Sequence, residues 1–387
     1  MTTRRRWAIP LAPLYRGALR CKDALRSAGW LQTQRLAWPV ISVGSLSVGG
    51  AGKTPVVIVL ARMLREAGWT VDVLSRGYGR RGRGVERVRP GADDAARRFG
   101  DEPVLIAAQA GVAVWVGTDR YAAGRHAEAE AGKVQRCVHL LDDGFQHRRL
   151  TRDVDIVLLT REDLEDELLP VGNLREAVGS LERADVVVVR QDEFAVEVEG
   201  EDRAAAKGKA QQRLWRAAQA GQSLRRATVG GRAWEILREH GQMWTVQRRL
   251  RFPSPLKVFG AGLRPVAFCA IARPEGFAAM LQEAGCGIVE TVAFPDHHAY
   301  SEADVRRVME VARRLNGSGF VTTEKDAVKL TEAMREALEQ VGPLMVVALD
   351  AEFADGRAVL RALEEKLFRV ESAGQARGKS GGEERVR

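Results

Sequence analysis

In the stretch SVGSLSVGGAGKTPVVIVLARML, Ser42 to Leu64, glycines at 49, 50 and 52 are followed at once by Lys53 and Thr54. Residues of those types at that spacing can hold phosphate. Backbone N–H groups of a glycine-rich turn wrap the oxygens, a lysine reaches the outer phosphates, and a hydroxyl faces a divalent cation. The usual motif opens on glycine. Here Ser47 stands in that place, and a small residue serves there as long as its φ stays negative. The loop Ser47, Val48, Gly49, Gly50, Ala51, Gly52, Lys53, Thr54 follows a strand-like run and opens a helix-like one. That context makes it a nucleotide site. Such a loop needs a carboxylate at the end of a neighbouring apolar strand, bearing on Mg²⁺. CVHLLDDGFQH supplies Asp142 and Asp143, two adjacent acids that repel each other unless a cation lies close. Turn residues on a solvated edge are the plainer alternative.

A guanine site would need Asn-Lys-x-Asp on a later strand. TTEKDAVK, 322–329, has Lys325 and Asp326 adjacent, so the spacing fails and ATP is the better choice. Three further stretches are dense in polar groups. LSRGYGRRGRG, 74–84, offers Arg76, Arg80, Arg81 and Arg83 after a strand, suited to phosphate. FGDEPVL, 99–105, puts Asp101 and Glu102 before an apolar helix, which an acid could simply cap. FPDHHAYSEADV, 294–305, sets His297 and His298 beside Asp296, ahead of a helix that Ser301 can cap. Two histidines next to an acid fit either proton chemistry or a structural role.

The elements that must position these groups alternate short β-branched runs with helical stretches. PVISVG, TVDVLS, VAVWVG, CVHLL, VDIVLL and DVVVVR read as strands up to residue 190. Continuous apolar runs separated by helices describe a parallel sheet buried on both faces. Residues 191–254 change to an Arg-, Gln-, Ala- and Glu-rich linker or insertion. PVAFCAIA, GIVETVAF, GFVTTEKD and PLMVVALD then resume the alternation over 255–370, and 371–387 is a polar, glycine-rich tail of disordered composition. The expected fold is therefore a P-loop NTPase-like α/β core over 37–190, helices on both faces, with a second, smaller α/β unit.

The 387 residues carry a net charge of +9, which fits an anionic partner: nucleic acid, an acidic membrane surface or a phosphorylated substrate. Four cysteines lie far apart without CxxC spacing, so neither a disulfide framework nor a zinc site is indicated. No apolar run reaches transmembrane length. Residues 1–36 hold eight Lys/Arg against one Asp, and a helix there puts Leu11, Leu14, Tyr15, Ala18 and Leu25 on one face with Arg16, Arg20 and Asp23 opposite. Such a helix either lies in a membrane interface or packs on its own domain. Aromatic residues make up only 6% of the chain, thin for base stacking, so a nucleic-acid ATPase is the lesser reading.

Taken in order, GSLSVGGAGKTP (44–55), LSRGYG (74–79), GDEP (100–103), DDGFQH (142–147), LLPVGNLRE (168–176), FPDHH (294–298) and TTEKD (322–326) resemble the tetraacyldisaccharide 4′-kinase family, the lipid A kinases of Gram-negative bacteria. The resemblance covers about residues 10–350. It implies ATP-dependent phosphorylation of the 4′-hydroxyl of a tetraacylated disaccharide 1-phosphate, giving lipid IVA at the cytoplasmic face of the inner membrane. Lys53 and Thr54 would bind phosphates and Mg²⁺, with Asp142 and Asp143 completing the metal site. Asp101 would accept the hydroxyl proton, with His297 tuning it and His298 as the alternative partner. Arg76, Glu102, Arg120, Gln146, Arg175 and Glu176 would order the site and substrate. The partners implied are the acylated disaccharide phospholipid and an anionic membrane, not nucleic acid. An adaptor that kept the fold and lost the chemistry is a rival that the intact Lys53, Thr54, Asp101, Asp142 and His297 oppose. One departure is CAIARPEGF, where Ala272 and Arg273 replace the family's Gly and Asn.

Overall fold

The computed structural model describes residues 5–92, 94–194, 242–253 and 264–383. A short 3₁₀ turn, Arg6–Leu11, leads into α1 (Ala12–Ser27). Then come β1 (Val40–Ser45), α2 (Lys53–Glu66), β2 (Thr70–Ser75), β3 (Glu86–Arg87), α3 (Ala95–Phe99), α4 (Asp101–Ala110), β4 (Ala113–Val116) and α5 (Arg120–Ala131). They are followed by β5 (Cys137–Asp142), β6 (Val154–Leu159), β7 (Val186–Arg190), α6 (Gln191–Phe194) and β8 (Met243–Arg251). The remainder is β9 (Val266–Cys269), α7 (Pro274–Glu283), β10 (Glu290–Ala293), α8 (Glu302–Arg314), β11 (Phe320–Thr323), α9 (Glu324–Ala327), α10 (Glu332–Glu339), β12 (Leu344–Phe353) and α11 (Gly356–Glu383).

The chain forms two compact units, each assembled from separated stretches. The first takes Met1–Lys53, Asp143–Gln247 and Glu352–Arg387; the second takes Thr54–Asp142 and Arg248–Ala351. In the first, β1, β6, β7 and the start of β8 pair side by side in parallel. Their near-continuous apolar sequences follow from that arrangement, because strands covered on both faces have no solvent side to be polar. All six residues of β1, all six of β6 and all five of β7 are buried. Under the loop that follows β1, Leu46 packs with Phe145, Val157, Leu159, Leu174, Leu181, Val187 and Val189.

The second unit has β5, β2 and β4 in parallel, with the two-residue β3 antiparallel on β4. A further parallel set runs β10, β9, β11, β12. Alternation along β9 divides its side chains between two cores. Val266 and Phe268 join Val305 and Val308 of α8 with Met334 and Leu338 of α10. Ala267 and Cys269 join Phe277 and Leu281 of α7. Helices therefore cover both faces, as a parallel sheet requires.

Two stretches differ from their compositional reading. Residues 243–251, within the charged 191–254 segment, form β8, whose Trp244 and Val246 are buried while residues between them are not. A period-2 pattern marks a strand with one buried face, but Arg248, Arg249 and Arg251 in its second half hide it in a composition average. Most of that segment, and the EGEDRAAAKGKAQQRLW stretch in particular, lies outside the described residues. At the C-terminus the backbone of α11 continues to Glu383, past residue 370.

Gly44 approaches Phe145 so closely that a Cβ there would lie 2.5 Å from the Phe145 Cβ and 2.8 Å from its backbone nitrogen. Both sit in a packed core, so Gly44→Ala overpacks it. The variant should lose about 1–3 kcal/mol of stability, read as a lower urea midpoint at unchanged slope.

Candidate active site

The loop after β1 meets a backbone requirement before any chemical one. Gly49, Gly50 and Gly52 have φ of 74°, 66° and 85°, the left-handed region that glycine enters without Cβ clash. Ser47 does not adopt a positive φ, which is why it can stand where glycine usually opens the motif. The turn delivers Lys53 as the first residue of α2, where unpaired N–H groups and the helix dipole favour an anion. Beyond this point the chain enters the second unit, with Thr54 next and Pro55 inside the first helical turn, where a missing N–H costs nothing.

Around Lys53 a second segment, 166–176, is laced to the loop. Val48 N–H donates to the Asn173 carbonyl at 2.9 Å and Arg175 N–H to the Leu46 carbonyl at 2.7 Å. This aims the Arg175 guanidinium at Asp143, with both N–H···O distances at 2.7 Å. The Lys53 ammonium lies 3.5 Å from the same carboxylate and 3.1 Å from the Ser45 hydroxyl. Gln146 donates to the Ser45 carbonyl at 3.0 Å. Burial alone would raise the Asp143 pKa, but Lys53 and Arg175 outweigh it and hold the carboxyl well below the usual range. Asp143 itself has φ 50°, in the left-handed region that Asp enters more readily than most residues. Tyr15 of α1 donates its hydroxyl to the Arg175 carbonyl at 2.9 Å, and Arg5 donates to the Gly172 carbonyl at 3.2 Å. Glu176 turns away to pair with Arg183, whose guanidinium lies 4.5 Å over the Phe145 ring.

In the second unit the end of β5 carries Asp142, 3% exposed, which accepts the Ser75 hydroxyl proton at 2.9 Å. Asp101 opens α4 and is 7% exposed. It does not cap the helix: the N-cap is Gly100. Both its oxygens face Nδ1 of His297, at 3.1 and 3.0 Å. Burial pushes the Asp101 pKa up, yet the His297 hydrogen bond and the Lys325 and Lys329 charges bring it down to about 2. Burial lowers the His297 pKa, and the hydrogen bond and charge of Asp101 more than reverse this, with Lys325 acting against them. His297 has φ 60°, and the Tyr78 ring lies 5.2 Å from it. His298 points elsewhere: it reaches Asp304 at 3.0 Å and stacks on Phe294. Of the two histidines, it is His297 that meets Asp101.

The arginines of α2 secure the other end of α4. Arg65 donates to the Ala110 carbonyl at 2.7 Å and Arg62 to the Gln109 carbonyl at 2.9 Å, answering carbonyls the helix cannot satisfy itself. Glu102 is held by Lys325 at 3.1 Å. Arg120 is buried at the start of α5 and donates to the Thr118 carbonyl at 2.9 Å, and Arg76 is exposed in the loop after β2. Sequence reasoning passed over Lys325 and Lys329. Their i, i+4 spacing puts both on one side of a helical turn, which was the available signal.

A glycine loop carrying a lysine between a parallel strand and a helix, and a buried ionised carboxylate bonded to a histidine, define an α/β phosphotransferase of the P-loop NTPase-like class. The sequence profile of tetraacyldisaccharide-1-P 4′-kinase (LpxK) matches residues 4–368, so the chain belongs to that family. It is 36% identical to the tetraacyldisaccharide 4′-kinase of Koribacter versatilis over 358 residues, covering 91% of this chain and 96% of that one. With its counterpart from Geobacter metallireducens it shares 36% over 366 residues, covering 91% and 95%. The crystal structure of LpxK from Aquifex aeolicus in complex with ATP superposes with a TM-score of 0.66 at 28% identity, covering 94% of this chain and 99% of that one.

Because the folded Asp101 pKa is depressed from 3.8 to about 2, the group adds stability above its unfolded value. That contribution is lost as pH falls through about 4 towards about 2. The shift corresponds to roughly 2 kcal/mol. Asp101→Asn should therefore show a shallower loss of stability than wild type across that window, measured as urea midpoints at successive pH values.

Proposed function

We propose that this chain transfers the γ-phosphoryl group of ATP to the 4′-hydroxyl of tetraacyldisaccharide 1-phosphate, giving lipid IVA, and does so docked on the cytoplasmic face of the inner membrane. The chain is a kinase of the lipid A pathway by family. The observation that carries the reading is that one chain of this family holds both Lys53 in a formed phosphate loop and Asp101 ionised beside His297.

In the reaction, the loop N–H groups and Lys53 hold the phosphates, and Arg175 adds charge where the transferred group becomes more anionic. The sugar hydroxyl gives its proton to the Asp101 carboxylate as its oxygen bonds to the γ-phosphorus. The bond to the β–γ bridging oxygen breaks and ADP leaves. His297 orients Asp101 by donating from Nδ1. Much of the rate comes from alignment and neutralised charge. Thr54 and Asp142 are hard oxygen donors of the kind that suit Mg²⁺, which takes one or two carboxylates together with phosphates and water. Asp143, chelated by Arg175 and paired with Lys53, serves better as counter-ion to those cations. Mg²⁺, when bound, neutralises charge on the β- and γ-oxygens.

For membrane docking the support is the N-terminal segment. None of the α1 residues is buried, and Trp7, Leu14 and Trp30 are 75%, 70% and 80% exposed. Arg16 and Arg20 are exposed on the same helix, placed to meet lipid phosphates. Among the described residues no helix is long and apolar enough to cross a membrane.

With radiolabelled ATP, Mg²⁺ and tetraacyldisaccharide 1-phosphate in detergent micelles, wild type should give the bis-phosphorylated product. Asp101→Ala should lower kcat by about 10²- to 10⁴-fold while retaining ATP binding, and Lys53→Ala should lose both. A folded wild-type protein that binds ATP but makes no product would overturn the acceptor assignment. In co-sedimentation, anionic vesicles should retain the protein and release it as salt rises. Trp7→Ser with Leu14→Ser should weaken that retention and leave ATP affinity unchanged.

A further inference from the structure

The segment TTEKDAVK, 322–329, has no part in the chemistry above, yet it is among the most densely bonded stretches of the second unit. Thr323 caps α9 by accepting the Asp326 N–H. Asp326, fully buried, accepts from the Thr323 hydroxyl at 2.6 Å, the Ala270 N–H at 3.1 Å and the Lys329 ammonium at 3.0 Å. The same Ala270 peptide accepts the His297 N–H at 3.3 Å. One residue at the end of β9 thus ties the α9 turn and the His297 turn together. The fixed α9 and the turn after it present two ammonium groups. Lys329 reaches Asp101 Oδ2 at 3.5 Å. Lys325 lies 3.1 Å from Glu102, 3.4 Å from Asp296 and 3.4 Å from Nε2 of His297.

We propose that Lys325 is a positioning residue for the Asp101–His297 pair: its ammonium donates to Nε2 of His297 and so fixes the imidazole tautomer whose Nδ1–H faces Asp101. An ammonium has three donors and no acceptor, so a nitrogen bonded to it must offer a lone pair. In the neutral ring, Nε2 is then the acceptor and Nδ1 carries the proton. The acceptor hydroxyl cannot deliver its proton to Nε2, which leaves Asp101 as the base. The groups facing His297 are Asp101 and Glu102 from α4, Asp296 from its own loop, Lys325 from α9, and the Tyr78 ring from the loop after β2, while Lys329 reaches Asp101. Asp101 and Glu102 favour the imidazolium and Lys325 opposes it. Burial would discharge the lysine, but Glu102, Asp101 and Asp296 keep it charged. Glu102 on this account is the counter-ion of Lys325 and acts on the pair through it.

The inference rests on the reading of Asp101 as base, so its first readout needs no substrate. Histidine ¹⁵N spectra of the full chain, with the His297 signals assigned by their loss in His297→Gln, should show Nδ1 protonated and Nε2 bare in the neutral ring. In Lys325→Met the His297 titration midpoint should move up, because a neighbouring cation is gone. At neutral pH, kcat should fall about 10- to 100-fold with the KM for ATP within about twofold. Lys325→Arg keeps the cation and should stay near the wild-type midpoint. An unchanged tautomer and midpoint in Lys325→Met would overturn the proposal, as would a kcat loss that only tracks a lowered Tm. If the wild type makes no product but the ¹⁵N shifts behave as stated, the acceptor assignment fails and the Lys325 role stands.

Discussion

Positive charge concentrated at the start of α2 is the constraint from which the surroundings of the glycine loop follow. A helix N-terminus is already electropositive, and here it carries Lys53 with the Arg175 guanidinium beside it. Two such cations, largely out of water, are costly unless a carboxylate answers them. Asp143 is that carboxylate, and its position fixes much else. It must lie directly after β5, in a left-handed turn that few residue types tolerate. Arg175 must be brought to it by a segment paired with the loop itself, while Phe145, two residues on, fills the space that Gly44 leaves. Phosphate oxygens are what this arrangement is ready to receive, since they supply more negative charge than one carboxylate can.

The Asp101–His297 pair follows the same rule with the signs exchanged. There the buried acid comes first, and imidazole, Lys325 and Lys329 surround it. Three positive or proton-donating groups keep Asp101 ionised far below neutral pH. A carboxylate held so strongly is a weak base. That is acceptable in phosphoryl transfer, where the hydroxyl proton is needed late and alignment does most of the work. Each cation is in turn held by its own acid: Lys325 by Glu102 and Asp296, Lys329 by Asp326.

How far this was legible in the sequence depends on whether a constraint is local. The phosphate loop could be read because three left-handed positions demand glycine within four residues, and because strand and helix flank it. The parallel strands could be read because burial on both faces leaves runs such as VVVV with no polar interruption. β8 could not, since only Trp244 and Val246 are buried in it, and the Arg248, Arg249 and Arg251 that follow make it look like charged linker. The pairing of Arg175 with Asp143 joins residues far apart in sequence, and nothing nearby in either segment signals it. Nor could the choice between His297 and His298 be made beforehand. Adjacent side chains diverge according to the backbone between them, and that turn is set by hydrogen bonds to Ala270 and by the Ser301–Asp304 cap. Ser47, which opens the loop in place of glycine, does not adopt a positive φ.

The hydrogen bond from Tyr15 to the Arg175 carbonyl gives the N-terminal helix a second allegiance. Its outer side bears exposed leucines, while its inner side touches the residue that grips Asp143, and Arg5 holds the same segment from the other end. Anyone trimming the N-terminus to obtain a better-behaved soluble protein would remove these fastenings along with the greasy surface. The shortened chain would lose two of the bonds that hold the 166–176 segment, and with them part of what keeps Arg175 on Asp143.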